Sequence, residues 1–458
     1  MNSSGTAPSS DSSVIIVGAG IAGLYAARKL GQANVPHLVL EADDHAGGRV
    51  FSRQERQSHL GLTIDEGANL INSTDTLAIG LMNQFGIRYV RRLKPGTDNM
   101  HYLVNGEEYA QADFDRLLFR ESREALNTIQ RDQEVWNTDA RRATNPAYID
   151  QSIADYLAAI SSGPVLRTML KSFFWSEYGR EIENLNLHVF FEYVEIDLNC
   201  PCFRLIPNVD EAYTVPGGLG QIAARLERDN HDRVRYGRRV ESIIENGNRI
   251  GITARLRGGA VETYSARHVF FAAPLHSLPK IRVEVEGLSA HAIGNAGIAT
   301  YAHGTKLHLK FLEGFHKAYR FSGILLSDTG EQIWPSSTGQ GGAGLLTVLT
   351  GPLPPGRAHA VAHAGRVLLA LDRVCPGLSE LYVGVERSDA PASYSGSLRP
   401  GEPACLAIHD GGAHWTTIGE ASHPELQGYV EGALRSADDG VTRYLMLRRQ
   451  AKRGKMPR

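Results

Sequence analysis

The segment VIIVGAGIAGLYAARKL, residues 14–30, constrains the fold more than any other part of this sequence. A short apolar run leads directly into Gly18, Gly20 and Gly23, and apolar residues at helical spacing follow. Between a strand and a helix, such glycines permit a tight turn, a close approach of the backbone to a diphosphate, and close packing of the two elements. The segment therefore predicts an α/β fold with a dinucleotide-binding unit near its start.

The same unit contains candidate contacts for phosphate and ribose. The first N–H groups of a helix have no partner within the helix, and they attract phosphate. A second apolar strand, HLVLEA, runs to Glu41, about 20 residues after the glycines, where a carboxylate can bind ribose hydroxyls. The predicted contacts are Gly18, Gly20, Ile21, Ala22, Gly23, Glu41 and Ala42. NAD and FAD share this pattern, so the unit alone does not choose between them.

Length and charge exclude several other classes of protein. A chain of 458 residues favours two domains, and a net charge of −2 gives no reason to expect a nucleic-acid partner. No apolar run approaches the roughly 18 residues of a membrane helix, and the four cysteines lack metal-ligand spacing, so neither membrane nor metal is expected. We predict a disordered lead over 1–11, a basic tail over 451–458 and a cytoplasmic location. A homodimer is compatible with the sequence.

The stretch around and after Glu41 decides between the two dinucleotides. It reads EADDHAGGRVFSRQ, with Gly47, Gly48 and Arg49 in its centre, and LTIDEGANLIN follows. Here the sequence resembles the flavin-containing amine oxidases, which include monoamine, polyamine and L-amino-acid oxidases and bacterial natural-product amine or amide oxidases of secondary metabolism. Four further stretches resemble that family in its order along the chain: YTVPGGLGQIAARL, RVRYGRRVESI, HVFFAAPLHSL and TTIGEASHPELQGYVEGALRSA.

The resemblance implies FAD as the cofactor, held without a covalent bond. Monoamine oxidases attach the flavin through a cysteine at a position where this chain has Ser393, and Cys405 lies too far beyond it to be a substitute. Arg49 can offset the charge of the diphosphate. The implied cofactor contacts beyond the first unit are Gly48, Arg49, Gly67, Ala68, Asn69, Val240, Ala273, Gly419, Glu420, Gly428, Tyr429 and Val430.

The resemblance also implies how the chain is divided. A Rossmann-like FAD-binding domain would be assembled from 12–77, 208–283 and 386–450, and an inserted α+β substrate-binding domain would be built from 78–207 and 284–385. The local patterns agree, because 110–200 is helical in spacing, with stretches such as SIADYLAAI and RTMLKSFFWSEYG, whereas the chain from 297 onward alternates as strands do.

Two tyrosines and a lysine are the implied catalytic residues. Tyr429 and Tyr394 match two aromatic residues that flank the substrate nitrogen in monoamine oxidases, where facing rings favour developing positive charge. Lys306, in GTKLHLKF, matches a lysine that in this family holds a water against flavin N5. Lys310, four residues further along the same strand face, is the alternative.

Three other residues are candidates for the substrate pocket. Glu66, in DEGANLI, stands where many relatives have a small or apolar residue. It would act as a base or anchor a cationic substrate if it pointed toward the flavin, and otherwise it would be an outward carboxylate or one paired with an arginine. Tyr178 and Arg320 are candidates from the substrate domain, and Arg320 would suit a substrate carboxylate or carbonyl.

The resulting hypothesis is an FAD-dependent oxidase of a C–N bond in an amine, amino acid or amide. Hydride would pass to flavin N5, an imine or iminium would form, and oxygen would be reduced to hydrogen peroxide. The alternatives are an FAD-dependent desaturase or dehydrogenase of the phytoene-desaturase type, an L-amino-acid oxidase, and a flavin-binding scaffold without turnover. The sequence does not identify the substrate.

Overall fold

The computed structural model describes residues 10–56, 58–93, 100–206, 209–298, 301–389, 391–394, 399–401, 410–411, 414–423 and 426–453. The strands are, in chain order, β1 Ser10–Asp11, β2 Val14–Val17, β3 His37–Leu40, β4 Ser52–Gln54, β5 Thr63–Asp65, β6 Val90–Arg91, β7 Met100–Val104, β8 Glu107–Ala110, β9 Val194–Asp197, β10 Cys202–Leu205, β11 Tyr213–Thr214, β12 Val234–Arg235, β13 Arg238–Asn246, β14 Arg249–Leu256, β15 Val261–Ala266, β16 His268–Phe271, β17 Arg282–Glu284, β18 Tyr301–His303, β19 Thr305–Phe311, β20 Ile324–Ser327, β21 Glu331–Pro335, β22 Gly344–Thr350, β23 Tyr382–Ser388, β24 Pro391–Tyr394, β25 Asp410–Gly411 and β26 Trp415–Thr417.

The helices connect and cover these strands. They are α1 Ile21–Gln32, α2 Thr76–Phe85, α3 Gln111–Thr138, α4 Pro146–Ile149, α5 Ile153–Ala159, α6 Pro164–Tyr178, α7 Leu187–Tyr193, α8 Gly220–Arg228, α9 Ala290–Ile298, α10 Phe315–Ala318, α11 Arg357–Val374 and α12 Val430–Arg453. In the part of the chain that the structure describes, no helix combines the length and the apolarity that crossing a membrane requires.

A six-stranded sheet carries the start of the chain. Its order is β12-β3-β2-β16-β26-β25, and only the β25–β26 pair is antiparallel. All four residues of β2 are buried, and α1 begins four residues after β2 ends, so the strand–turn–helix prediction is confirmed. The sheet takes its strands from three separated parts of the chain, near 14–40, 234–271 and 410–417.

A second sheet of seven strands has the order β23-β19-β22-β21-β20-β7-β8. It is antiparallel except for the β20–β7 pair. Strands β18, β19 and β20 lie where the alternating pattern predicted strands, and α5 and α6 lie where the helical pattern did. The long helix α11 between β22 and β23 was not anticipated. The protein is thus an α/β protein with mixed sheets.

A third sheet has five strands in the order β1-β15-β14-β13-β17. Its first strand includes Ser10 and Asp11, whose backbones pair with Tyr264 and Ser265 although the sequence places them in the lead. Residues 1–9 of that lead and 454–458 of the basic tail lie outside the described residues, and α12 extends to Arg453.

Candidate active site

The glycine loop between β2 and α1 has the conformation that its glycines permit. Gly18 has φ of 104°, in the region that favours glycine, and a Cβ atom on Gly23 would lie 2.0 Å from the carbonyl oxygen of Gly18. Gly20 precedes α1, and a Cβ there would have no atom within 4 Å. The loop therefore packs tightly on its inner side and is open on its outer side, where the first N–H groups of α1 lack intrahelical partners.

Glu41 lies at the edge of this loop, directly after β3. Its carboxylate accepts hydrogen bonds from the backbone N–H of Ala19, at 2.6 Å, and of Asp43, at 2.9 Å. The structure thus brings Glu41 to the same end of the sheet as the glycines. Ala273 also lies there, because its backbone nitrogen would be 3.1 Å from a Cβ on Gly18.

A second group of glycines approaches the first. Gly47 bridges to Gly20, and the next residue, Gly48, has φ of 57°. The carbonyl of Arg49 accepts a hydrogen bond from Ala68 N–H at 3.0 Å, and it would lie 1.8 Å from a Cβ on Gly67. The segments around Arg49 and Gly67, which were predicted as separate cofactor contacts, therefore lie against each other.

The chain's last motif reaches the same place. Arg49 Nη2 lies 2.5 Å from the buried oxygen Glu420 Oε1, so the two side chains form an ion pair. Gly419 has φ of 134°, with nothing within 4 Å of a Cβ placed on it. Open space beside glycines allows the backbone to approach an elongated ligand closely. These residues therefore fit a bound dinucleotide.

The other predicted cofactor contacts lie on neighbouring elements. Val240 is buried in β13, and Asn69 is buried in the turn that follows β5. Gly428 and Val430 flank Tyr429 at the beginning of α12, so this helix also begins at the site.

Lys306 lies at the opposite end of this group, in β19. It is the one residue of that strand that is not fully buried, and its Nζ donates a hydrogen bond to the carbonyl of Gly67. The ammonium lies 5.9 Å from the centre of the Trp334 ring. Burial lowers its pKa to about 8, although Asp65, Glu177 and Glu211 oppose that shift. The lysine is thus a titratable group that lies against the Gly67 loop.

Lys310, the alternative lysine, has a different environment. Its side chain is buried, and Nζ lies 3.3 Å from Glu55 Oε2 and 2.9 Å from Glu386 Oε1. It also donates a hydrogen bond to the carbonyl of Arg56. This lysine is held in a structural ion network, so the geometry favours Lys306 as the functional residue.

Tyr429 and Lys306 have two electrostatic neighbours in common, Glu177 and Glu211. Burial raises its pKa well above the usual tyrosine range, and the charges of Glu177 and Glu211 raise it further. The backbone of Tyr394 pairs with Tyr301 in β24, but the side chains of Tyr394 and of Ser393 lie outside the described residues. Cys405 also lies outside them. That the rings of Tyr394 and Tyr429 face each other therefore stays a prediction.

Tyr178, at the end of α6, lies close to this group through another tyrosine. The rings of Tyr178 and Tyr193 are 5.5 Å apart and edge-on, and the two hydroxyls interact by a hydrogen bond. Tyr193 is also within electrostatic range of Tyr429. The structure therefore connects Tyr178 to Tyr429 through Tyr193.

Glu66 and Arg320 have partners that the sequence could not identify. Glu66 forms an ion pair with Arg53, as the alternative interpretation of that residue held, and Arg53 in turn binds Glu386 at 2.6 Å. The side chain of Arg320 is 55% exposed and pairs with Glu108 at 3.0 Å. The structure thus brings Glu66 to the ion network of Lys310, and it places Arg320 at the surface, apart from Lys306 and Tyr429.

Several residues around Lys306 and Tyr429 were missed by sequence analysis: Asp65, Glu177, Tyr193, Glu211, Gln332 and Trp334. Three of them are carboxylates within electrostatic range of Lys306. Burial raises the pKa of Asp65 to about 6 and that of Glu177 to about 7. Only Asp65 has a sequence signal, because it stands in the DEGA stretch. The others come from distant segments, and no spacing in the sequence indicates that they meet.

One group of possible metal ligands lies elsewhere, on the β9–β10 hairpin. The ligand atoms of Asp197, Cys200 and Cys202 lie within 4.8 Å of one another, and the two sulfurs are 3.3 Å apart. Cys200 is exposed and donates a hydrogen bond to Asp197 at 3.1 Å.

Comparisons with known proteins identify the family of this chain and proteins of similar fold. Residues 21–443 match the family described as flavin containing amine oxidoreductase. An L-amino acid dehydrogenase of Synechocystis is 35% identical over 104 residues, but this covers only 22% of the chain and 21% of that protein. A Mycobacterium tuberculosis protein named as a flavin-containing monoamine oxidase is 25% identical over 92% of the chain and 94% of its own length. A double mutant of a putrescine oxidase has a similar fold, with a TM-score of 0.76, 16% identity and coverage of 96% of this chain and 100% of its own.

Proposed function

The chain belongs to the family of flavin-containing amine oxidoreductases, and from that membership and the site we propose that it is an FAD-dependent oxidase of C–N bonds. An amine and molecular oxygen would give an imine and hydrogen peroxide, with two hydrogens leaving the C–N unit and two electrons reaching oxygen. FAD, when bound, supplies the hydride acceptor for this reaction. The proposal includes non-covalent attachment of FAD, because Ser393 stands where a cysteine would be needed.

The first part of the proposal concerns the cofactor. The six-stranded sheet and the loops at Gly20, Gly48 and Gly419 would hold FAD, with the N–H groups of α1 at the diphosphate and Glu41 at a ribose. Arg49 would offset phosphate charge, as its position between the glycine groups allows. On this basis we assign 12–77, 208–283 and 386–450 to an FAD-binding domain, and 78–207 and 284–385 to a substrate-binding domain.

The second part concerns the chemistry, and one observation supports it: Lys306 contacts the Gly67 loop, and Lys306 and Tyr429 have Glu177 and Glu211 as common electrostatic neighbours. Lys306 would hold a water and favour the reduction of oxygen through its positive charge. Tyr429 would present its ring to a neutral amine that gains positive charge during the reaction. Both roles suit oxidation at nitrogen, whereas neither is needed for desaturation of a hydrocarbon.

The relatives are named for different substrates, so their names do not identify the substrate of this chain. One relative is named for L-amino acids, another for monoamines and the structural neighbour for putrescine. For this chain, oxidation of a free amino acid would need a cation for the substrate carboxylate. Arg320, the residue predicted for that role, is bound to Glu108 at the surface. An amine without a carboxylate is therefore favoured over an amino acid.

The purified protein tests this proposal directly. We expect a flavin spectrum, full release of the colour on acid denaturation, bleaching by an amine without oxygen, and peroxide formation when oxygen is admitted. Colour that stays with the precipitated protein would refute non-covalent attachment. A flavin that no amine bleaches, but that an unsaturated hydrocarbon substrate does, would favour the desaturase alternative.

A further inference from the structure

The β9–β10 hairpin brings together two thiols and a carboxylate that the proposed chemistry does not use. Asp197 is the last residue of β9, Cys202 is the first residue of β10, and the two are directly paired across the hairpin. Directly paired residues project to the same face of a sheet. Cys200 stands in the turn between them. The hairpin thus folds so that three possible metal ligands meet at its tip.

The distances between these side chains suit a bound ion better than a disulfide. Cys200 Sγ lies 3.1 Å from Asp197 Oδ2 and 3.3 Å from Cys202 Sγ. In a tetrahedral zinc site, bonds of about 2.3 Å to sulfur and about 2.0 Å to oxygen put neighbouring ligand atoms about 3.5–3.8 Å apart. The two contacts would therefore widen by about 0.4 Å around zinc. A disulfide requires the sulfurs to approach to about 2.05 Å, which is a larger movement.

The ligands are held in position by the surrounding backbone. The N–H of Asn199 donates a hydrogen bond to Asp197 Oδ1 at 2.8 Å, which leaves Oδ2 directed toward Cys200. The N–H of Leu198 donates one to the side chain of Gln130 in α3 at 2.9 Å, so the turn is fixed to that helix. Hydrogen bonds that orient the ligands in this way strengthen metal binding.

Asp197 is also available for a cation. The neighbouring cross-strand pair on the same face, Glu195 and Arg204, forms an ion pair of 3.4 Å and is neutral as a unit. Within the described ranges of the chain, Asp197 forms no ion pair, and its hydrogen bonds come from a thiol and from backbone N–H. Its charge is therefore not neutralised by an arginine or lysine.

We propose that Asp197, Cys200 and Cys202 form a site for a divalent metal ion of the zinc type, with water in the fourth position. Two thiolate ligands select borderline or soft ions over Mg²⁺ and Ca²⁺. On binding, the two S–H bonds break, two bonds from sulfur to the metal form, and both protons leave to solvent. One divalent ion thus replaces two protons, and the net charge of the group is unchanged.

This exchange of charge matters because the surroundings are basic. Arg116, Arg120 and Arg123 of α3 line a cavity of about 680 Å³ that also includes Pro201, the residue between the two cysteines. An ion that bound to the carboxylate without displacing the thiol protons would add its full charge near these arginines. The arginines therefore oppose a hard cation such as Ca²⁺ more than they oppose zinc.

An alternative role for the two cysteines is oxidation by hydrogen peroxide. Two thiols would give up two electrons and two protons, and the products would be a disulfide and two waters. Peroxide attacks the thiolate, which forms readily where a cysteine contacts positive groups. The charged group in contact with Cys200 is instead the carboxylate of Asp197. The geometry therefore favours metal binding over this reaction.

Zinc binding by the untagged, FAD-loaded protein tests the proposal. The protein is reduced, equilibrated with Zn²⁺ and analysed for metal per chain, and competition with a chelator gives the dissociation constant. We expect the Cys200 site to hold one zinc ion per chain with a dissociation constant below about 1 µM. Cys200→Ser should weaken this binding by at least about 100-fold, and Asp197→Asn, which keeps the oxygen but removes the charge, by about tenfold. Ca²⁺ should not compete.

A matched control and a second measurement locate the ion. Glu195→Gln changes a carboxylate on the same strand face that already pairs with Arg204, so this variant should bind zinc as the unaltered protein does. The hairpin is a two-stranded sheet without a further strand partner, and such hairpins are only marginally stable alone. Zinc should therefore slow amide hydrogen exchange in 194–205 by at least about tenfold, and not in Cys200→Ser.

Each result supports or overturns the site. Equal zinc binding by the unaltered protein and Cys200→Ser, or zinc that leaves exchange in 194–205 unchanged, would overturn it. So would a reduced protein that binds no zinc but forms a disulfide between Cys200 and Cys202 in peroxide. Cys200 is exposed, so its replacement leaves the core intact, and flavin content confirms that each variant is folded. None of these measurements depends on amine oxidation, so the inference is tested separately from the proposed function.

Discussion

The two ends of the candidate site are built in different ways. At the glycine end, Gly18, Gly20 and Gly23 follow one another within six residues, and their positions depend on β2 and α1. At the lysine end, Lys306, Glu177 and Gln332 come from a strand, a helix and another strand that are far apart in the chain. The first end is set mainly by local sequence, and the second by the register of a sheet.

Because of this difference, substitutions at the two ends of the site should have different effects. A residue in a local turn has backbone neighbours that cannot move away, so a change there disrupts the site as a whole. A residue at the lysine end has mainly side-chain neighbours, so a change there alters charge or chemistry while the fold remains.

The largest effect is expected at the glycine end, for Gly23→Val. A Cβ at this position would lie 2.0 Å from the carbonyl oxygen of Gly18, a backbone atom, so the loop must move. We expect the variant to lose its flavin, measured as the ratio of flavin absorbance to protein. The control is Gly80→Ala in the exposed part of α2, where a Cβ meets nothing within 4 Å. It should keep full flavin and gain about 0.5 kcal/mol in stability. A Gly23→Val protein with full flavin would show that the loop tolerates side chains.

At the lysine end, Lys306→Met should lower turnover with little effect on stability. The lysine forms no ion pair in the described residues, and burial lowers its pKa to about 8, so its charged form is not favoured by folding. Removing a charge that stabilises the reduction of oxygen should lower the rate by about 100-fold. Stopped-flow measurement of flavin reoxidation checks this, and an unchanged rate would refute the role of Lys306.

Lys310→Met changes a lysine on the same strand. In contrast to Lys306→Met, its effect should be on stability. The substitution leaves Glu55 and Glu386 buried without their ammonium partner. We expect a loss of about 3 kcal/mol in the free energy of unfolding, measured by urea denaturation of the holoenzyme. A variant that loses activity at unchanged stability would show that the functional lysine had been assigned wrongly.

The same contrast explains what sequence analysis could predict. The β2–α1 unit, the helices α5 and α6 and the strands β19 and β20 were predicted because their periodicity is local. Lys306 was chosen over Lys310 by resemblance, since both stand on one strand face and the sequence does not say which of them meets Glu55 and Glu386. Glu177, Glu211 and Gln332 had no signal, because strand register and the packing of α6 bring them together. Arg320 was predicted for the pocket from its chemistry alone, and the partner that holds it at the surface, Glu108, lies 212 residues away.

A smaller effect is expected from the titration of Glu177. Because its pKa is about 7 in the folded protein against an ordinary value of 4.5, the folded state binds the extra proton between these pH values. The stabilisation is complete below about pH 4.5 and is lost as the pH rises through about 7, a change of about 3 kcal/mol. The free energy of unfolding of the original protein should therefore fall between pH 5 and pH 8 by more than that of Glu177→Gln. Parallel curves for the two proteins would show that Glu177 titrates normally.

The smallest effect is expected for Arg320→Ala. Its guanidinium is exposed, lies over the Phe321 ring at 5.0 Å and pairs with Glu108 at the surface. Exposed ion pairs contribute about 0.5 kcal/mol, so the melting temperature and the kcat/KM for amines should both stay close to those of the original protein. Lys306→Met measured in the same assay is the positive control. If Arg320→Ala instead lost activity while keeping its flavin and its stability, the arginine would have to turn inward during turnover. The substrate site would then gain the cation that an amino acid carboxylate requires, and the preference for amines over amino acids would have to be reversed.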